Sequence, residues 1–435
     1  MRSSRSSRSR SGRRATVVGL GLVAVLAAGC ASPIVGAVTG DWNGDTGSEQ
    51  PGRSRPELGT TSCAQPGAGQ EFERVDPALV ELDPQVLADA VGYGTARGAQ
   101  SVRVYRHDCL VATSGLDPFT EASQLPAWSM TKGVVSMVVG RAVTLGHLRV
   151  DAPIGTYLDG LSPAHAAITV EQLLTQTSGL RFAWANDLNA AATLDSAALV
   201  LTRPFEAAPG TKFIYAQTTV TALVSVVEAA VGEDFQAFAA RELFEPIGIT
   251  HDQWHWDRDS VGRTQGFAFL YMQPKSFARL GSLLLAGGTW QGRRLIDESY
   301  VRAGAVGTTA NPGYGYLWRT NDGPEGVPGP LENPALESMS AAPEDTFWLS
   351  GMFEQNVIVV PSLDLVVVRM GLPEDLFGDP MGEVKGRRPD WDHRFFRTLL
   401  SGVLDVSLAD PGDWEPPPDG PPQGLEPEHL IGIGF

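Results

Sequence analysis

The chain has 435 residues, 43% hydrophobic and 19% charged, which is enough apolar material for one large core or two intimate ones. A formal net charge of −17 excludes a general nucleic-acid binder, which needs basic surfaces. The three cysteines show no Cys-x-x-Cys spacing and carry no metal-site signal, so neither a metal nor a cofactor is expected.

The first 14 residues hold six arginines and no acids. An apolar run follows over residues 15–28 and ends in Leu26-Ala27-Ala28-Gly29-Cys30. A basic start, a short apolar stretch and small residues before a cut site read as an export signal over residues 1–30. The run is shorter than the roughly 20 residues a spanning helix needs. Its Gly-Cys end is similar to a bacterial lipobox, in which Cys30 becomes the lipidated first residue; ordinary cleavage near Ala31 is the alternative. The expected location is the outer face of the cell membrane. With Cys30 lipidated, Cys63 and Cys109 remain as an even pair, and a disulfide between them is expected in an oxidising compartment. Residues 31–75, rich in Gly, Ser, Pro and Thr, read as a flexible tether, and residues 409–435 as a Pro-rich acidic tail. The folded domain is expected over residues 76–408.

Within it the pattern is α/β in the α+β sense. Residues 101–113, with Val102, Val104, Tyr105, Leu110 and Val111, read as a strand or hairpin. Residues 357–370 read as a hairpin turning at Pro361-Ser362-Leu363-Asp364, and residues 390–406 as a last amphipathic helix. Strands at both ends and helices between predict one sheet built from both termini, flanked by helices, with a helix-rich lobe inserted.

Residues 128–143 are apolar nearly all round and predict a buried helix that Ser129 opens. Lys132 stands one turn along on the same face. A serine hydroxyl needs an adjacent base to become a nucleophile, and a lysine held among apolar groups loses its charge more readily than one in water. Ser-x-x-Lys alone is a weak motif, and Ser129 could serve only as a helix cap. A lysine inside a core-like helix needs a reason, however. Tyr215 falls on a loop before a helix over residues 218–231, with Gln217 two positions on. Its hydroxyl could relay a proton to a leaving group, the more so if a cation lowers its pKa.

The ordered segments Ser129-Met130-Thr131-Lys132, Leu173-Leu174-Thr175-Gln176-Thr177-Ser178-Gly179-Leu180 and Pro209-Gly210-Thr211-Lys212-Phe213-Ile214-Tyr215 resemble the serine β-lactamase-related family. That family takes in class C β-lactamases, D-Ala-D-Ala carboxypeptidases, esterases and 6-aminohexanoate-dimer hydrolases. The resemblance spans roughly residues 80–405. It implies a β-lactamase/transpeptidase-like fold and an acyl-serine mechanism without metal on a small-molecule or peptide-like substrate. The implied catalytic residues are Ser129, Lys132 and Tyr215. Two positions depart from the pattern. Gln217 stands where the family has Asn, and Leu349-Ser350-Gly351 stands where it has a cation or histidine before x-Gly. Leu349 offers nothing to a substrate carboxylate, which favours an amide- or ester-cleaving activity over a true β-lactamase or D,D-peptidase. Gly351 and Met352 are implied at the oxyanion hole, with the backbone N–H groups of Met352 and Ser129 as its donors, and Gln217 at the substrate. A non-enzymatic binding protein of the cell envelope with the same fold is the rival reading. The sequence leaves oligomeric state open.

Overall fold

The computed structural model describes residues 61–183, 195–321, 339–372 and 390–414. The expected signal peptide, Cys30, residues 31–60 of the tether and residues 415–435 of the tail lie outside them. Among the described residues no helix is long and apolar enough to cross a membrane.

Six strands form the main sheet: β1 (Ala99–Arg106), β2 (Cys109–Thr113), β3 (Arg319–Thr320), β4 (Phe347–Gly351), β5 (Gln355–Val360) and β6 (Leu365–Gly371). The spatial order is β2-β1-β6-β5-β4-β3, with every neighbouring pair antiparallel. The first and last long strands of the chain thus pair directly, Val104 opposite Val367. Both expected hairpins form. The first turns at His107 and Asp108, both at positive φ (52° and 57°), as a tight two-residue connection demands.

The helices that matter here are α1 (Pro84–Ala96), α2 (Met130–Thr144), α3 (Val170–Leu174), α4 (Thr218–Val231), α5 (Pro274–Leu285) and α6 (Trp391–Ser401). The sheet is covered on both faces, so β5 and β6 are buried throughout and apolar over Val357–Val360 and Leu365–Val368. Alternation sends Ile358 and Val360 toward Phe395 and Phe396 of α6, and Val357 and Val359 into the larger core around α2 and α5. Glycines let the central helix approach. A Cβ at Gly133 would lie 2.4 Å from Leu349 Cγ of β4, and one at Gly140 would lie 2.7 Å from the Tyr300 ring. The helix is buried from Met130 to Ala142, as its sequence predicts.

The tether is shorter than its composition suggests. Residues 61–75 are laid onto the domain by contacts that composition does not reveal. Buried Arg279 of α5 donates to the Pro66, Gly67 and Gln70 carbonyls, Arg103 of β1 pairs with Glu71, and Phe72 enters the core. At the other end, Arg397 binds Asp410 and Asp413, so the first residues of the expected tail are held too.

The Cys63–Cys109 disulfide is present and ties this arm to the start of β2 across 46 positions. Closing a loop of that length restricts the unfolded chain, and replacing both cysteines by serine is expected to cost about 2–4 kcal/mol. Urea unfolding of the two forms, under non-reducing conditions, reads the difference; equal midpoints would contradict it.

Candidate active site

The sequence places Ser129 at the start of α2, and the structure shows what the side chain does there. Ser129 occupies the N-cap position but makes no side-chain cap hydrogen bond. Its Oγ instead lies 2.8 Å from Lys132 Nζ. The residue before it, Trp128, has φ +48°, a left-handed conformation that a large side chain adopts only when its surroundings hold it. The Trp128 ring packs edge-on against Phe353, centroids 5.4 Å apart, which fixes this bend against the β4–β5 turn.

Lys132 is 1% exposed, and three oxygens lie within hydrogen-bond distance of its amine. Besides Ser129 Oγ, Nζ donates to Gln217 Oε1 at 2.7 Å and to the Phe267 carbonyl at 2.9 Å. It also lies 4.7 Å from the centre of the Tyr215 ring. Two of the three oxygens can only accept, whereas the serine hydroxyl can accept or donate. A neutral amine can therefore keep both carbonyl contacts and receive the Ser129 proton without moving, and the ammonium fits the same place.

Tyr215 is partly buried, with its hydroxyl close enough to Ser129 for that residue to act on its pKa. The loop carrying it is pinned from both sides by Gln176. The Ile214 N–H donates to the Gln176 carbonyl at 2.9 Å, and the Ala216 N–H donates to Gln176 Oε1 at 2.7 Å. Gln176 itself sits at φ +57° with 2% exposure. Burial raises the Tyr215 pKa above its ordinary value of 10, outweighing the Arg319 guanidinium and the Ser129 side chain, which both lower it. The sequence left open a lowering by a nearby cation. A cation is near, but withdrawal from water dominates, so Tyr215 is held as the neutral phenol.

The last segment comes from β4. A Cβ at Gly351 would lie 2.2 Å from the Ala127 carbonyl oxygen and 3.0 Å from the Met130 amide nitrogen. The strand end is therefore in direct backbone contact with the first turn of α2, and Met352 follows within the same turn. Leu349 is fully buried against Gly133, so this position is core and not a substrate contact. Gln217 N-caps α4, and its side-chain oxygen is engaged by Lys132.

Four participants were not legible beforehand: Trp128, Gln176, the Phe267 carbonyl and Arg319. The unusual run of polar residues in Thr175-Gln176-Thr177-Ser178, all buried, was a usable sign for Gln176. A backbone carbonyl contributed from residue 267 has no sequence signature.

A helix opening on a serine, set between a two-ended antiparallel sheet and a helical lobe, with a buried lysine on that serine, is the arrangement of a serine hydrolase. The profile of the Beta-lactamase family matches residues 86–371, and the chain belongs to that family. Among its relatives is an uncharacterized protein of Alkalihalophilus pseudofirmus, 23% identical over 287 residues, covering 60% of this chain and 76% of that one. Two solved structures share the fold. A protein assigned as a 6-aminohexanoate-dimer hydrolase from Bacillus anthracis superposes with a TM-score of 0.56 at 14% identity, covering 78% of this chain and 91% of its own. A penicillin-binding protein homologue from Caulobacter crescentus gives 0.55 at 15% identity, covering 76% and 99%.

Proposed function

We propose that the protein is an exported serine hydrolase that cleaves an amide or ester bond of a small-molecule or peptide-like substrate through an acyl-Ser129 intermediate. The observation that carries this reading is the 2.8 Å contact between Ser129 Oγ and a lysine amine almost wholly removed from water.

In the proposed cycle Lys132 takes the hydroxyl proton as Ser129 Oγ bonds to the carbonyl carbon. The oxyanion is received by backbone N–H groups at Ser129 and Met352, where the dipole of α2 adds to their effect. As the carbon–leaving-group bond breaks, Tyr215 gives its proton to the departing nitrogen or oxygen and is reprotonated from Lys132. Water then attacks the acyl ester by the same route in reverse, releasing the acid and restoring the Ser129 hydroxyl. Gln217 and the Phe267 carbonyl hold the amine on line with the serine throughout. The buried Leu349 supplies no charge, which favours substrates other than β-lactams and D-Ala-D-Ala peptides.

A fluorophosphonate probe tests the nucleophile directly. Peptide mapping is expected to find one adduct per chain, on Ser129; an unlabelled protein, or an adduct elsewhere, would sink the assignment. Tyr215→Phe is expected to lower kcat about 10²-fold, the size of a general acid–base contribution. Because burial raises the Tyr215 pKa, the difference in ultraviolet phenolate titration between wild type and Tyr215→Phe should appear above pH 10. A midpoint below 10 would contradict the role of the neutral phenol.

The N-terminal 30 residues support export with Cys30 lipidated. Radiolabelled palmitate should enter the full-length protein in a bacterial host and be lost in Cys30→Ser. Equal labelling of both would remove the anchor from the proposal.

A further inference from the structure

The turn joining β4 to β5, residues 352–354, follows Gly351, whose backbone meets Ala127 and Met130 on either side of Ser129, and its own backbone is unusual. Phe353 and Glu354 are both in the left-handed region, at φ 63° and 59°, and neither is glycine. Two such residues in succession cost of order 1–3 kcal/mol each and persist only where the surroundings impose them. A buried side chain from β6 holds both of their carbonyls.

Arg369 of β6 has a side chain with no exposed surface. Its guanidinium donates to the Phe353 carbonyl at 3.2 Å, to the Glu354 carbonyl at 2.9 Å and to the Arg97 carbonyl at the end of α1 at 2.7 Å. It pairs with the Glu354 carboxylate at 3.1 Å and stacks 4.8 Å from the centre of the Trp391 ring of α6. The space it occupies is kept open by Gly371, where a Cβ would come 2.6 Å from Nη1. Gln355 adds a second hold: its Nε2 donates to the Phe353 and Gly371 carbonyls at 3.0 and 2.7 Å, and its Oε1 accepts from the Gly371 N–H at 2.9 Å. A buried charge of this kind is costly unless it is well bonded, and this one ties the turn to the end of α1 and to α6.

We infer that Arg369 is a positioning residue. By gripping the outward carbonyls of Phe353 and Glu354, it fixes the direction in which the opposite face of the turn presents its N–H groups to the acyl carbonyl at Ser129. The planar fork meets several acceptors at once, which a lysine amine could not do with the same geometry. The inference rests on Ser129 being the nucleophile.

The test uses the full domain with Arg369→Lys, Arg369→Met and Glu354→Gln. The last keeps the packing and removes only the ion pair, so it remains informative where an arginine variant does not fold. Each is assayed for kcat and KM on a nitrophenyl acyl ester and for hydrogen exchange of the amides of residues 352–355. A displacement of about 1 Å costs roughly 10²-fold in rate, so Arg369→Met is expected to lose about that much in kcat, with KM within twofold. Arg369→Lys and Glu354→Gln should lose about tenfold, Lys recovering part of the hold. Exchange at 352–355 should quicken in step. Folded Arg369→Lys and Glu354→Gln proteins with wild-type kcat overturn the inference, whether or not exchange changes. Ser129→Ala with undiminished turnover overturns the nucleophile assignment instead, and the exchange data then still report whether Arg369 orders the turn.

Discussion

Ser129→Ala is expected to lose turnover of a nitrophenyl acyl ester by roughly 10³-fold or more, with the fold intact. The hydroxyl makes no helix-cap bond and its polar partners lie within the site, so its removal leaves α2 capped as before. Lys132→Met should cost a similar factor, because a serine without its base is a weak nucleophile. If the two residues act as one unit, as proposed, the double variant should be no slower than the slower single one. Multiplicative losses would mean that they contribute independently, against the proton transfer proposed here. Lys132→Met also leaves Gln217 Oε1 and the Phe267 carbonyl without this donor, so its stability should fall where that of Ser129→Ala does not.

Gly351→Ala is the second large effect, and it touches no reacting group. The added Cβ would lie 2.2 Å from the Ala127 carbonyl oxygen, a backbone atom that no rotamer change can move. Either the end of β4 or the start of α2 must retreat by about 1 Å to reach van der Waals separation. The retreat would separate the Met352 peptide from Ser129, with which it forms the proposed oxyanion hole. A loss of roughly 10²-fold in kcat is expected, with a stability cost of about 1–3 kcal/mol from overpacking. Thermal unfolding and steady-state kinetics on the same preparation distinguish the two. Unaltered kcat would show that the β4–β5 turn has no part in the reaction.

Periodicity and turn chemistry exposed much of the architecture. The apolar run after Ser129 has one reading as a helix, because burial is demanded on every side. The 357–370 hairpin was visible because two β-branched runs flank Pro361 and Asp364. The pairing of β1 with β6 followed less directly, from strands at both chain ends and helices between. Composition failed at residues 61–75, the end of the expected tether, which packs because Arg279, Arg103 and a disulfide hold it.

At the site the division is sharper. The spacing of Ser129 and Lys132 along one helix face is a local property, and local geometry alone brings the amine to the hydroxyl. The strand and helix patterns and the placement of Tyr215 ahead of α4 are of the same kind. Everything that turns that pair into a site comes from distant parts of the chain. Gln217 and the Phe267 carbonyl reach Lys132 from 85 and 135 positions away, Gln176 grips both sides of Tyr215, and Gly351 meets Ala127. The direction of the Tyr215 shift belongs here as well. Sequence shows which charges exist, but only packing decides how much water is removed from the phenol, and desolvation outweighs the cation that the residue pattern suggested.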